Sequence, residues 1–100
     1  MRLKPGVRIG GLKPEMVMAS NIVGSVYQNF NKELVITSGT EGSHSLRSAH
    51  YRGEAIDTRI YYFAEDILED VERALKTALG PDFIVLLEDT HFHIEWRPLR

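Results

Sequence analysis

His91-Phe92-His93-Ile94-Glu95-Trp96 alternates strictly between polar and apolar residues. Successive side chains on a β-strand leave opposite faces, so His91, His93 and Glu95 fall on one side and Phe92, Ile94 and Trp96 on the other. Two residues sharing a face in this way stand roughly 7 Å apart. One imidazole of the pair can then bind a metal ion while its neighbour reaches water or substrate beside it.

Working outward from this strand, Phe83 to Leu87 is a second, apolar strand joined to the first by a short link. Gly80-Pro81 before it stops a helix over residues 63–79, whose apolar face is Ile67, Leu68, Val71, Ala74, Leu75 and Ala78. Glu65 and Asp66 suit the positive end of that helix and Lys76 its negative end. Ala55 to Ile60 reads as a strand with Ala55, Asp57 and Arg59 on one face. Leu34-Val35-Ile36-Thr37 is a short β-branched run and reads as a buried strand. It leads into the polar, glycine-rich stretch 38–45, which includes His44 and is expected to be a loop.

Nearer the start, Pro14 fits a first helical position, and Met16, Ala19, Ile22, Val23, Val26, Tyr27 and Phe30 recur at helical spacing. Gly24 inside that helix predicts a close approach to a neighbour. Residues 1–11 read as an extended arm with turns at Pro5-Gly6 and Gly10-Gly11. Strands gathered after a helix, with a tight link between the last two, predict an α+β fold with a small antiparallel sheet and two main helices.

One hundred residues suit a single domain spanning 1–100. An apolar fraction of 43% and a charged fraction of 26% are those of an ordinary globular chain. A net charge of −2 with no basic block gives no pull towards nucleic acid or anionic lipid. Neither a secretory signal nor a membrane span is expected, and a monomer is assumed. The chain has no cysteine, which removes disulfides, thiolate metal sites and a cysteine nucleophile.

The chemistry-bearing residues gather in residues 48–57 and 91–96. His50, Asp57 and His93 offer two imidazoles and a carboxylate, a donor set that suits zinc and leaves a fourth position for water. Gly53 lets the chain between His50 and Asp57 turn back, and Ala55 keeps the space beside them small. Ser48 is placed to orient the loop or a ligand by hydrogen bonding.

Ser-x-His-x-x-Gly-x-Ala-x-Asp at 48–57, followed by His-x-His at 91–93, resembles the zinc D-alanyl-D-alanine carboxypeptidase superfamily. That group includes peptidoglycan peptidases and relatives of the metal domain of hedgehog proteins. Val35-Ile36-Thr37-Ser38-Gly39 is similar to the strand and Ser-Gly turn that precede the motif there, so the resemblance covers about residues 34–96. Glu88 before His91 and the Glu95-Trp96 ending look most like small phage-encoded members, which implies an endolysin-type enzyme.

The resemblance implies His50, Asp57 and His93 as zinc ligands, with His91 beside the catalytic water. It implies hydrolysis of a peptide bond in peptidoglycan stem or cross-link peptides, as a carboxypeptidase or endopeptidase. The expected lack of a secretory signal suggests a phage enzyme, in the host cytoplasm before lysis or carried in the phage particle, or a cytoplasmic dipeptidase. Two positions depart from the pattern. Thr90 stands where many members carry an acidic general base, so that duty would fall to His91, or to Glu88 or Asp89. Thr40-Glu41 stands where relatives have Tyr-Arg, so a cation for a substrate carboxylate would come from Arg47, Arg52 or Arg59. A domain that binds zinc and peptidoglycan, or serves a virion structurally, without turnover is the alternative that Thr90 leaves open.

Overall fold

A computed structural model describes residues 1–41 and 48–98. Its elements in chain order are β1 (Arg2–Leu3), α1 (Pro14–Asn29), β2 (Val35–Ser38), β3 (Ala55–Arg59), a single 3-10 turn (Glu65–Ile67), α2 (Leu68–Leu79), β4 (Phe83–Leu87) and β5 (His91–Trp96). The five strands form one sheet in the order β1-β2-β3-β5-β4. The fold is α+β, as the sequence predicts.

Four of the strands pair antiparallel, but β1 adds to β2 in parallel, so the sheet is mixed rather than wholly antiparallel. The parallel strand is the start of the expected N-terminal arm. Two residues are too short for any hydrophobic period, and the pairing is made by Arg2 and Lys4 amides donating to the Leu34 and Ile36 carbonyls.

Alternation in β3, β4 and β5 builds one dry face. Ile36, Ile56, Thr58, Val85, Phe92 and Ile94 are all at most 3% exposed and meet the buried residues of α1 and α2. On α1 these are Met16, Ala19, Val23, Val26 and Tyr27, with Ile22 and Phe30 packed partly against them, so the predicted stripe is the packed one. Removing a side chain such as Phe92 from this layer costs about 3–5 kcal/mol. Gly24 is different from expectation: a Cβ there would make only ordinary contact with Leu34, at 3.8 Å. The second helix also begins later than residue 63, because residues 65–67 wind as a 3-10 turn before Leu68. Ala78 is exposed and lies off the apolar face.

One polar group is built into the dry face. Thr58 is fully buried, and the Tyr27 hydroxyl lies 2.8 Å from Thr58 Oγ1 while donating to the Arg59 carbonyl at 2.8 Å. Burial pushes the Tyr27 phenol well above its ordinary value despite the Thr58 bond. It therefore stays a neutral donor that pins β3 from behind.

The helices end as their last residues dictate. Asn31 takes a left-handed φ of 63° after α1, letting Lys32 N–H donate to the Tyr27 carbonyl. Gly80, at φ 83°, closes α2. Among the described residues no helix is long and apolar enough to cross a membrane.

Candidate metal centre

Strand register decides which side chains meet. Asp57 lies directly opposite His93, Arg59 opposite His91, and Ala55 opposite Glu95. Directly opposed residues point to the same side of a sheet. The face away from the helices therefore carries Asp57, Arg59, His91, His93 and Glu95 together, over the small fully buried Ala55.

His50 comes to this face from a loop. Its turn is closed by Gly53 N–H donating to the His50 carbonyl at 3.0 Å and Glu54 N–H to the Ala49 carbonyl at 2.8 Å. Gly53 sits at φ 73°, and a Cβ on it would lie 2.0 Å from the Gly11 carbonyl oxygen. The turn thus needs glycine twice over, for its dihedral and for its contact with the N-terminal arm. Ser48 Oγ accepts the His50 amide at 3.2 Å, so the expected orienting role of Ser48 has its contact.

The three donor atoms converge. His50 Nε2 and His93 Nδ1 each lie 3.1 Å from Asp57 Oδ1, and the donor atoms of His50, Asp57 and His93 lie within 4.8 Å of one another. His50 is 6% exposed, and the Asp57 and His93 side chains are 15% and 17% exposed. Ligands at roughly 2.0–2.1 Å from a tetrahedral ion stand about 3.3 Å apart, close to the 3.1 Å that separates each imidazole nitrogen from Asp57 Oδ1. This group can hold a metal ion.

The outer atoms of both rings are fixed. His50 Nδ1 lies 3.0 Å from the Gly39 carbonyl, which can only accept, so Nδ1 carries the hydrogen. His93 Nε2 donates to Glu95 Oε1 at 2.9 Å, and Glu95 Oε2 is held by Arg97 at 2.7 Å. Each imidazole therefore turns its other nitrogen to the same carboxylate oxygen. A bare lone pair facing a carboxylate at this distance is repulsive, and one cation between all three groups would relieve that repulsion.

Electrostatics follow the geometry. Burial opposes ionisation of Asp57, but hydrogen bonds from His50 and His93 outweigh it and hold the carboxyl well below its usual range. The Asp57 hydrogen bond raises His93 from 6.5 to about 9 against the opposing effect of burial, with Glu95 adding to the rise. Burial raises Glu95 as well, yet His93 and Arg97 bring it below its ordinary value.

The remaining predicted site residues divide. His91 stands beside the triad, its Nε2 3.6 Å from Asp57 Oδ2 and its Nδ1 2.9 Å from Thr90 Oγ1. Glu88 N–H donates to the His91 carbonyl at 2.9 Å, which puts Glu88 across from His91 at the sheet edge, with its side chain exposed. Arg52 is exposed and donates from Nε to Glu54 Oε1 at 2.8 Å. Arg47 and His44 lie outside the described residues. Thr40-Glu41 clasps the N-terminal arm: Glu41 Oε1 accepts the Arg8 and Gly39 amides at 2.9 Å, and Thr40 N–H donates to the Arg8 carbonyl at 2.8 Å. The residues the sequence reading passed over are Glu95 and Arg97 as supports of His93. Their signal was the same-face spacing 93, 95, 97.

A concavity of about 750 Å³ lies along α1 and the segment that leads into β2, with Ser20, Gly24, Gln28 and Glu33 in its wall, and includes none of the triad. Compared with protein-family models, curated proteins and solved structures, the chain matches none.

Proposed function

We propose that this protein is a zinc-dependent peptidase that cleaves a peptide bond in peptidoglycan stem or cross-link peptides. The observation that carries the reading is that two imidazoles, each hydrogen-bonded on its outer nitrogen, turn their inner nitrogens to one carboxylate oxygen. A donor set of two histidines and one aspartate is that of an open zinc site, not a closed structural one. Zinc held there supplies a bound water of lowered pKa and a Lewis acid for the scissile carbonyl.

The chain's own residues do the rest. His91 is the proton acceptor, standing beside the triad with its Nε2 3.6 Å from Asp57 Oδ2 and its Nδ1 2.9 Å from Thr90 Oγ1. Thr90, where an acidic base would be expected, contacts the His91 ring through its hydroxyl. The protonated His91 then returns the proton to the leaving amine and stabilises negative charge on the attacked carbonyl. Glu88, opposite His91 on the exposed edge, is the second candidate for the proton. The peptidoglycan substrate is supported by the motif resemblance at residues 48–57 and 91–93. The non-catalytic alternative is favoured by one feature, the exposure of Glu88 with no contact to the triad.

The test is a digest of purified peptidoglycan with zinc-loaded protein, followed by mass spectrometry of the fragments. New amine termini or released D-alanine are expected, and their masses name the bond. Intact peptides with zinc fully bound would support the binding domain instead.

A further inference from the structure

Among the described residues, one cation on the site face has no acid paired with it. Arg2, Arg52, Arg73 and Arg97 pair with Glu33, Glu54, Asp70 and Glu95. Arg59 pairs with no carboxylate among the described residues, although β3 places it on the same face as Asp57 and directly opposite His91. Along the strand it lies roughly 7 Å beyond Asp57. Across the sheet, Arg59, His91 and Glu88 form a rung next to the one that holds Asp57 and His93.

Two contacts hold this arginine in place. Its carbonyl accepts the buried Tyr27 hydroxyl at 2.8 Å, and its guanidinium stacks 4.8 Å from the centroid of the Tyr61 ring. Tyr61 is 75% exposed, so the stack stands at the open rim of the face and not in the core. A guanidinium braced on an aromatic ring keeps its planar donor fork free for bidentate recognition of a carboxylate.

We infer that Arg59, braced by Tyr61, is the substrate-positioning residue of this site, and that the substrate carries a carboxylate on the His91 side of the scissile bond. The inference rests on the proposed metal centre. It assigns to Arg59 what Arg52, paired with Glu54 on an exposed turn, is not placed to do. A carboxylate seated on Arg59 lies along β3 from the metal, leaving His91 open to the reacting atoms.

The test needs no knowledge of the natural substrate. Cobalt-loaded protein is titrated with acetohydroxamate and with a short series of hydroxamates bearing a terminal carboxylate, and the visible spectrum of the metal reports binding. The best carboxylated probe should bind wild type about ten- to hundredfold tighter than acetohydroxamate, the range for a hydrogen bond to a charged group. Arg59→Gln should erase that preference with acetohydroxamate affinity unchanged, and Arg59→Lys should restore part of it. Equal binding of all probes by wild type, or a preference that survives Arg59→Gln, overturns the assignment while leaving the metal centre standing. Failure of wild type to take up cobalt removes the metal centre, and the assignment with it. Acetohydroxamate binding unchanged in each variant shows that the substitution has not unfolded the site.

Discussion

Replacing Glu95 with glutamine removes one charge from behind His93 and almost nothing else. Glu95 is 8% exposed, accepts His93 Nε2–H at 2.9 Å and is fixed by Arg97. Glutamine keeps the acceptor oxygen and the volume. Its NH₂ group, however, faces the Arg97 donors, so Arg97 lets go; that side chain is 67% exposed and its release costs little. The bond to His93 then changes from charge-assisted to neutral, a difference of about 1–1.5 kcal/mol. Expressed on the imidazole as a metal ligand, this is about a five- to tenfold loss of zinc affinity. The titration is made in competition with a chromophoric chelator above about pH 9, where His93 no longer has a proton to lose. At lower pH, loss of Glu95 would also ease proton removal from His93 and mask part of the effect. An affinity within threefold of wild type, in a variant whose metal-free melting curve is unchanged, would refute the reasoning that Glu95 acts through His93.

Three further outcomes are expected. Gly53→Ala must place a Cβ at φ 73° and 2.0 Å from the Gly11 carbonyl, so urea melts should show a loss of at least about 2 kcal/mol; a loss below 0.5 kcal/mol, within the usual scatter of surface substitutions, would remove the proposed contact. His91→Ala should keep zinc at wild-type stoichiometry and lose about 10²- to 10⁴-fold in turnover of whichever peptidoglycan bond is cut; full turnover would transfer the base to Glu88. Zinc affinity should rise about tenfold per pH unit up to about 9, because His93 must shed its proton to bind. In the metal-free protein the sign is reversed: the raised value stabilises the fold fully below 6.5, and that contribution is lost as pH rises through about 9. Chelator competition and melting curves across that range would separate the two.

How much of this was legible without coordinates depends on whether a residue's role is set by local period or by a distant partner. The alternation at 91–96 placed His91, His93 and Glu95 on one face, but the pairing of β5 with β3 that sets Asp57 opposite His93 has no local signal and comes from the structure. The apolar stripe of α1 was equally plain, since spacing alone fixes which side of a helix is buried. The parallel pairing of Arg2–Leu3 with Val35–Ile36 was not legible, because two residues carry no pattern and the bonds are all main chain. Neither was the clasp of Glu41 on Arg8 and Gly39, which joins positions 33 residues apart in sequence. That clasp matters to the site, since the Gly39 carbonyl it steadies is the one that sets the His50 tautomer. Thr90, which by residue type looked like a lost base, shows its contact with His91 only in the structure, where its hydroxyl lies 2.9 Å from Nδ1.

The convergence of His50, Asp57 and His93 on one point is the claim on which the rest depends. Elemental analysis of protein purified with zinc present and then freed of loose ions tests it most directly. One equivalent of zinc per chain is expected in wild type, falling close to zero in Asp57→Ala with the fold retained. Less than half an equivalent in wild type, or an undiminished equivalent in Asp57→Ala, would contradict it.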